Sequence, residues 1–282
     1  MSTLALGIMT RHVERDSLAE VAAAIAGYGL TAVQLTLESA GLEPIPTTLD
    51  RPTAQRIGAT LRDAGLTVAA VSGTFNVLDP DIARRRDYLD RFARLCDALP
   101  WLGASVVTTC TGTRDPHSMW APHPANGEPA AWDELVEQTG TMVGMAARAG
   151  VTMAFEPETA NVASSPAKAQ RLLETINSPH LGITLDPANF FRPADLPRMR
   201  EVLTDGLRRL GPAIALAHAK DVLPPGPGEE HCGYAAAGQG RLDYPLYLRL
   251  LRETGYRGAL IMHSLDETDI PAAAAHLNRA LP

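Results

Sequence analysis

Residues 147–161 read ARAGVTMAFEPETAN. The Ala-rich end of a helical stretch meets Gly150, the residue type best able to take the left-handed backbone of a helix C-cap. The near-continuous apolar run Val151–Glu156 follows and ends in Glu156-Pro157-Glu158. Such a run suits a strand buried on both faces, as in a parallel sheet covered by helices. GYGLTAV (27–33), RDAGLTVAA (62–70) and ETGYRGALI (253–261) repeat this grammar of helix stop and strand start. Gly29, Gly65 and Gly255 stand where Gly150 stands.

Working outward, the same alternation covers the chain. Strand-length apolar runs lie at Leu4–Thr10, Ala32–Leu37, Val68–Ser72, Ser105–Cys110, Val151–Glu156, Gly182–Asp186, Ile214–His218 and Ala259–His263. Stretches of helical spacing separate them: Leu18–Tyr28, Thr53–Ala64, Asp81–Leu99, Ala131–Ala149, Pro166–Ile176, Leu196–Leu210 and Tyr244–Thr254, with a last helix at Ala272–Leu281. Ser165-Pro166 supplies an N-cap followed by proline at the first helical position. The count of eight, and the absence of a Gly-rich dinucleotide turn after the first strand, favour a closed α/β barrel over an open doubly wound sheet. No linker or low-complexity tract interrupts the pattern, and LPPGPGEE (Leu223–Glu230) reads as a flexible loop of the seventh unit. The expectation is a single (β/α)8 TIM barrel domain over residues 1–282.

Composition narrows the function. The chain has 282 residues, 45% of them hydrophobic, and a formal net charge of -7. That size and apolar content suit one large α/β domain. The charge argues against a nucleic-acid partner held by Lys and Arg clusters. Cys96, Cys110 and Cys232 are odd in number and scattered, which points to a reducing compartment and not to a disulfide framework. The N-terminal MSTLALGIMTRHVER reads as a first strand and not as a signal peptide, and no apolar stretch reaches membrane-span length. A cytoplasmic protein with no membrane partner is expected; a homo-oligomer is left open.

In such a barrel, residues at the C-terminal strand ends face the active site. Strand five ends in Glu156-Pro157-Glu158, strand six in Asp186-Pro187-Ala188-Asn189, strand seven in His218-Ala219-Lys220, and strand eight in His263-Ser264-Leu265-Asp266-Glu267. Two carboxylates and two imidazoles converging on one mouth make a mixed oxygen–nitrogen site for a divalent transition metal. Ca2+, which takes an all-oxygen shell, suits it less.

AFEPETAN (154–161), LDPANFF (185–191), AHAKD (217–221) and the run Ala235–Ile261 resemble the sugar phosphate isomerase/epimerase superfamily. These are the xylose-isomerase-like TIM barrels that also include inosose dehydratases and apurinic endonucleases. The resemblance covers essentially the whole chain and is strongest from Val151 to Met262. It implies that Glu156, Asp186 and His218 are metal ligands, with Glu158, Asn189 and Lys220 beside the substrate. The family's fourth ligand is usually a glutamate ending strand eight, and here His263 holds that position. Mn2+ is the metal expected first, with Co2+, Fe2+, Zn2+ or Mg2+ as alternatives.

The family's usual reaction moves a proton next to a carbonyl through a metal-stabilised enediolate, with the strand-five and strand-eight glutamates as the acid–base pair. The resemblance therefore implies an isomerase or epimerase of a sugar, keto-sugar or polyol, with Glu156 and His263 as its catalytic groups. The missing glutamate leaves two other routes. Glu158 or Glu267 supplies the second base, or a single base suffices, as in a lyase or dehydratase acting on a keto-sugar, keto-inositol or keto-glycoside. The apurinic endonuclease branch fits poorly, because Asn189 stands where that branch resembles a histidine-bearing site.

The long segment after strand four, residues 110–132, is rich in polyol-recognising groups: Arg114, His117, Trp120 and His123. Trp120 would cover the apolar face of a sugar, Arg114 would bind a phosphate or carboxylate, and the loop would act as a lid. His231 is placed near the substrate from the seventh loop. His12 could line the mouth, while His180 and His276 read as ordinary surface or helix residues.

Overall fold

The computed structural model describes residues 4–229 and 231–281. The first three residues of the N-terminal run and Glu230 of the expected seventh loop lie outside them.

Eight strands form one closed parallel barrel: β1 (Ala5–Met9), β2 (Ala32–Leu35), β3 (Thr67–Ser72), β4 (Val106–Cys110), β5 (Thr152–Glu156), β6 (Leu181–Leu185), β7 (Ile214–Ala219) and β8 (Ala259–Met262). Each strand pairs with its sequence neighbours, and β8 closes the ring on β1 through the register Ala5↔Ala259 to Ile8↔Met262. The α-helices between and after them are α1 (Leu18–Gly27), α2 (Arg51–Asp63), α3 (Ile82–Leu102), α4 (Pro129–Ala149), α5 (Pro166–Ile176), α6 (Met199–Leu210), α7 (Tyr244–Glu253) and α8 (Ile270–Ala280).

The punctuation read in the sequence governs these elements. Ser165 Oγ accepts from the Lys168 amide at the start of α5. Gly29, Gly65, Gly150 and Gly255 all adopt positive φ, between 69° and 85°. Most helix ends fall within two residues of expectation, and two differ by three. Helix α3 passes Pro100 and stops only at Gly103, whose φ of 80° provides the left-handed cap. Proline lacks the N–H that would reach back one turn, but its ring tolerates the helical φ. Before α6, Pro193–Arg198 forms a 3-10 turn, so the α-helix begins at Met199 and not at Leu196.

A short hairpin brackets LPPGPGEE in the seventh loop. Asp221–Leu223 and Gly233–Ala235 pair as an antiparallel hairpin. Buried Asp221 ties it down, accepting from the amides of Val222, Gly238 and Leu242 at 2.8–2.9 Å. Strands of three residues are too short to show periodicity in a sequence.

Alternation along each strand sorts side chains between two cores. Met153, Phe155, Ile183, Ala217, Leu260 and Met262 pack outward in the large core against the helices. Met9, Ala32, Ala70, Leu216, Ala259 and Ile261 form a small separate cluster. By the same alternation, Glu156 follows Ala154 inward, His218 follows Leu216 and His263 follows Ile261. The sequence thus delivers its polar strand ends to one place, the C-terminal mouth.

Candidate functional site

A cavity of about 960 Å³ opens at that mouth. On its floor, donor atoms of Glu156, Asp186 and His218 all lie within 4.8 Å of one another. His218 Nδ1 is 3.7 Å from Glu156 Oε1 and 3.6 Å from Asp186 Oδ2. Asp186 and His218 are buried, yet Asp186 Oδ2 and His218 Nδ1 make no hydrogen bond. A buried polar atom left unbonded is costly. His218 Nδ1 faces two carboxylates unbonded, and Asp186 Oδ2 has the Lys220 ammonium at 3.2 Å, a grouping of donors that suits a cation. One imidazole nitrogen and two carboxylates suit a divalent ion such as Mn2+, Fe2+, Co2+, Zn2+ or Mg2+.

The other face of His218 explains its orientation. Its Nε2 donates to Gln34 Oε1 at 2.7 Å. The Gln34 amide is itself fixed, since its Nε2 donates to Ser72 Oγ and Thr108 Oγ1, both at 3.0 Å. With its nitrogen committed, Gln34 can offer only oxygen to His218, and Nδ1 is left facing the carboxylates. Burial opposes a charge on His218, but Glu156 and Asp186 outweigh it and raise its pKa to about 9. A bound cation would take the place of that proton.

Around the three donors lies a connected polar layer. Asn189 Nδ2 donates to Glu156 Oε1 at 2.8 Å and to Glu158 Oε1 at 2.7 Å. Asn189 Oδ1 accepts from Lys220 Nζ at 2.6 Å. Lys220 also pairs with Asp186 Oδ2 at 3.2 Å and sits 3.8 Å from the ring centre of Tyr234. Burial lowers the Lys220 pKa, but Asp186, Glu158 and Glu156 reverse this and raise it. For Asp186, burial pushes upward while Lys220 and His218 hold the carboxyl below its usual range. Burial dominates at Glu158 and, with Glu156 adding to it against Lys220, pushes it up to about 8.

His263 lines the cavity beside His218, with ring centres 5.2 Å apart, but does not join the three-donor group. Both its nitrogens are engaged. Arg11 Nη2 lies 3.2 Å from Nε2, and Ser264 Oγ lies 2.6 Å from Nδ1. Arginine only donates, so Nε2 accepts and Nδ1–H donates to Ser264. Burial, with Lys220 and His218 next, holds the His263 pKa well below its ordinary value.

The remaining sequence candidates divide. Glu158, Lys220, Trp120 and His231 line the cavity. Arg114 does not: its guanidinium pairs with Glu134 of α4, which Arg85 also binds at 2.6 Å. Glu267 is likewise drawn away, accepting from Arg15 at 2.6 and 2.9 Å and from Tyr28 at 2.8 Å. His12 is absent from the lining as well. His123 caps its own loop by accepting from the Ala125 amide, and His180 Nδ1 meets the Val151 carbonyl at 2.8 Å.

Gln34, Arg11 and Tyr234 were not singled out from sequence. For Gln34 a signal existed: it is a long amide inside the otherwise apolar run AVQL.

The sequence matches the model of xylose isomerase-like TIM barrels over residues 22–280. Among solved structures, a xylose isomerase domain protein from Planctomyces limnophilus superposes with a TM-score of 0.74 at 23% identity, covering 99% of this chain and 97% of that one. A xylose isomerase-like TIM barrel protein from Mycobacterium smegmatis in complex with magnesium gives 0.74 at 18% identity, covering 99% and 97%. The 3-keto-D-glucoside 4-epimerase from E. coli gives 0.73 at 16% identity, covering 98% and 99%. At these identities the likeness speaks for the fold. No curated protein sequence matches, and no described helix is long and apolar enough to cross a membrane. With the family model matched over most of its length and the barrel closed, the chain belongs to the xylose isomerase-like TIM barrel family.

Proposed function

We propose that this protein is a divalent-metal-dependent isomerase or epimerase of a small sugar, keto-sugar or related polyol. The observation that carries this is the close, largely buried grouping of Glu156, Asp186 and His218 at the barrel mouth, with His218 Nδ1 facing both carboxylates and making no hydrogen bond. Glu156, Asp186 and His218 would hold the ion, with Mn2+ or Mg2+ the first to test. Once bound, the ion supplies Lewis-acid polarisation of a carbonyl and its neighbouring hydroxyl.

The chain supplies the proton handling. Glu156 and His263 are the proposed proton-transfer pair, approaching from β5 and from the end of β8. His263 Nε2 accepts from Arg11, so it would take up a substrate proton only as that contact is released. Lys220 and Asn189 fix the positions of both strand-five carboxylates. Glu158, which lines the cavity beside Asn189, would hydrogen-bond a substrate oxygen.

A second reading, a metal-dependent lyase or dehydratase, is favoured by one observation: His263 stands where the family resemblance places a glutamate. The test is to incubate metal-loaded protein with a panel of ketoses and aldoses in D2O and follow them by NMR. Metal-dependent deuterium incorporation next to the carbonyl, abolished in Glu156→Gln, is the expected result. Release of water or an aglycone would replace the isomerase reading with the lyase.

A further inference from the structure

The chain holds two lysines, Lys168 and Lys220, and fills every other strongly basic position with arginine. Lys168 is half-buried on α5, whereas Lys220, directly after β7, is 2% exposed. A compact ammonium suits that place better than a guanidinium, whose five donors lie in a rigid plane. Lys220 Nζ meets Asn189 Oδ1 at 2.6 Å and Asp186 Oδ2 at 3.2 Å. Its remaining side is closed by the ring of Tyr234, whose centre lies 3.8 Å away. The negative face of such a ring attracts a cation, and does so more strongly where water is excluded.

Tyr234 contributes little to the core. It is 38% exposed, and among the described residues its hydroxyl makes no hydrogen bond. The backbone that carries it is nonetheless fixed. Tyr234 pairs with Val222 in the hairpin of the seventh loop. Asp221, the residue after Lys220, braces that hairpin through the amides of Val222, Gly238 and Leu242. Lysine and ring are therefore set from the two sides of one braced hairpin. Such preorganisation lowers the cost of holding the ammonium in one place.

What the ring holds reaches farther. Because Asn189 Oδ1 accepts from Lys220, its amide must present Nδ2 to the other side, where it donates to Glu156 Oε1 and Glu158 Oε1. Glu156 belongs to the three-donor group. Direct contacts thus run from the Tyr234 ring through Lys220 and Asn189 to both strand-five carboxylates. We propose that Tyr234 is a positioning residue of the metal centre: its ring seats the Lys220 ammonium against Asp186 and Asn189, and through Asn189 sets the direction of Glu156 and Glu158. Its part in turnover rests on the isomerase reading above. The seating does not, and the test reads the seating by itself.

The test is NMR of protein labelled with 15N at lysine and asparagine, in Mg2+ buffer, for the wild type and Tyr234→Phe, Tyr234→Leu and Tyr234→Ala. With two lysines in the chain, Lys168 is the internal reference and reports that each variant is folded. An ammonium signal of Lys220 protected from exchange with water is expected in the wild type and in Tyr234→Phe. It should be lost in Tyr234→Leu and Tyr234→Ala while the Lys168 signal stays unchanged. The side-chain NH2 pair of Asn189, assigned by its disappearance in Asn189→Ser, should move in the same two variants and keep its place in Tyr234→Phe. Leucine retains an apolar cover without the ring's charge distribution, so a protected Lys220 signal in Tyr234→Leu overturns the seating by the ring. Loss of the Lys220 signal with Asn189 unmoved overturns the link to Glu156 and Glu158. Either result leaves the isomerase reading standing.

Discussion

His218 donates through Nε2 to Gln34 Oε1 at 2.7 Å, across the barrel from β7 to β2, and this contact decides which imidazole nitrogen faces the carboxylates. Gln34 cannot turn its amide around without breaking its bonds to Ser72 and Thr108. Outer partners of this kind set ligand tautomer and metal affinity. Gln34→Leu should weaken Mn2+ binding by about 10- to 100-fold, measured by competition with a chelator dye. Unchanged affinity would mean that His218 is oriented by packing alone.

His263 gives a contrasting expectation. Its Nε2 faces Arg11 and its Nδ1 faces Ser264, so His263→Ala should keep the metal near wild-type stoichiometry. Turnover should fall about 100-fold or more, the usual scale for losing a proton-transfer group. Elemental analysis beside a rate assay separates the two effects. Loss of the metal would make His263 a ligand after all.

Stability should depend on pH through His12. Burial foremost, and then Arg11, lowers its pKa from 6.5 to about 4. The folded state therefore takes up the proton later than the unfolded state does. The cost is absent above about pH 6.5, grows as pH falls, and is complete near pH 4. It amounts to at most about 3 kcal/mol. Urea denaturation at pH 7.5 and pH 4.5 should show wild type losing more stability than His12→Gln. Equal losses would show that His12 is readily protonated in the fold.

Close approach inside the barrel makes Gly7 a sensitive position. An added Cβ would meet the Ala32 carbonyl and lie 2.7 Å from Ile261 Cδ1. Gly7→Ala should destabilise by about 1–3 kcal/mol, seen as a lower thermal midpoint. An unchanged midpoint would mean that β1 and β2 can shift apart freely.

The barrel was legible because its grammar is local. A glycine cap followed by an apolar run marks a strand whatever lies across from it, and four such caps at Gly29, Gly65, Gly150 and Gly255 set the repeat. Glu156, Asp186 and His218 were legible for a related reason: each is the first ionisable residue after an apolar strand run. Arg114 and Glu267 misled because a long charged side chain reaches whichever partner the tertiary fold brings near, here Glu134 and Arg15. Gln34 was hidden for the opposite reason. Its role exists only through His218, which is 184 residues away in the chain. Hairpin Asp221–Leu223/Gly233–Ala235 was too short to show, and the bonds from Asn161 and Thr113 that hold the Met119 and Ala121 carbonyls come from side chains with no pattern in sequence.

If Glu156, Asp186 and His218 form a metal centre, elemental analysis will show it: purified protein, reconstituted with Mn2+ and desalted, is compared with Glu156→Gln, Asp186→Asn and His218→Leu. About one divalent ion per chain in the wild type is predicted, falling at least tenfold in each variant. A wild type that retains no ion, or variants that retain as much as it does, would rule out a metal centre on these three residues.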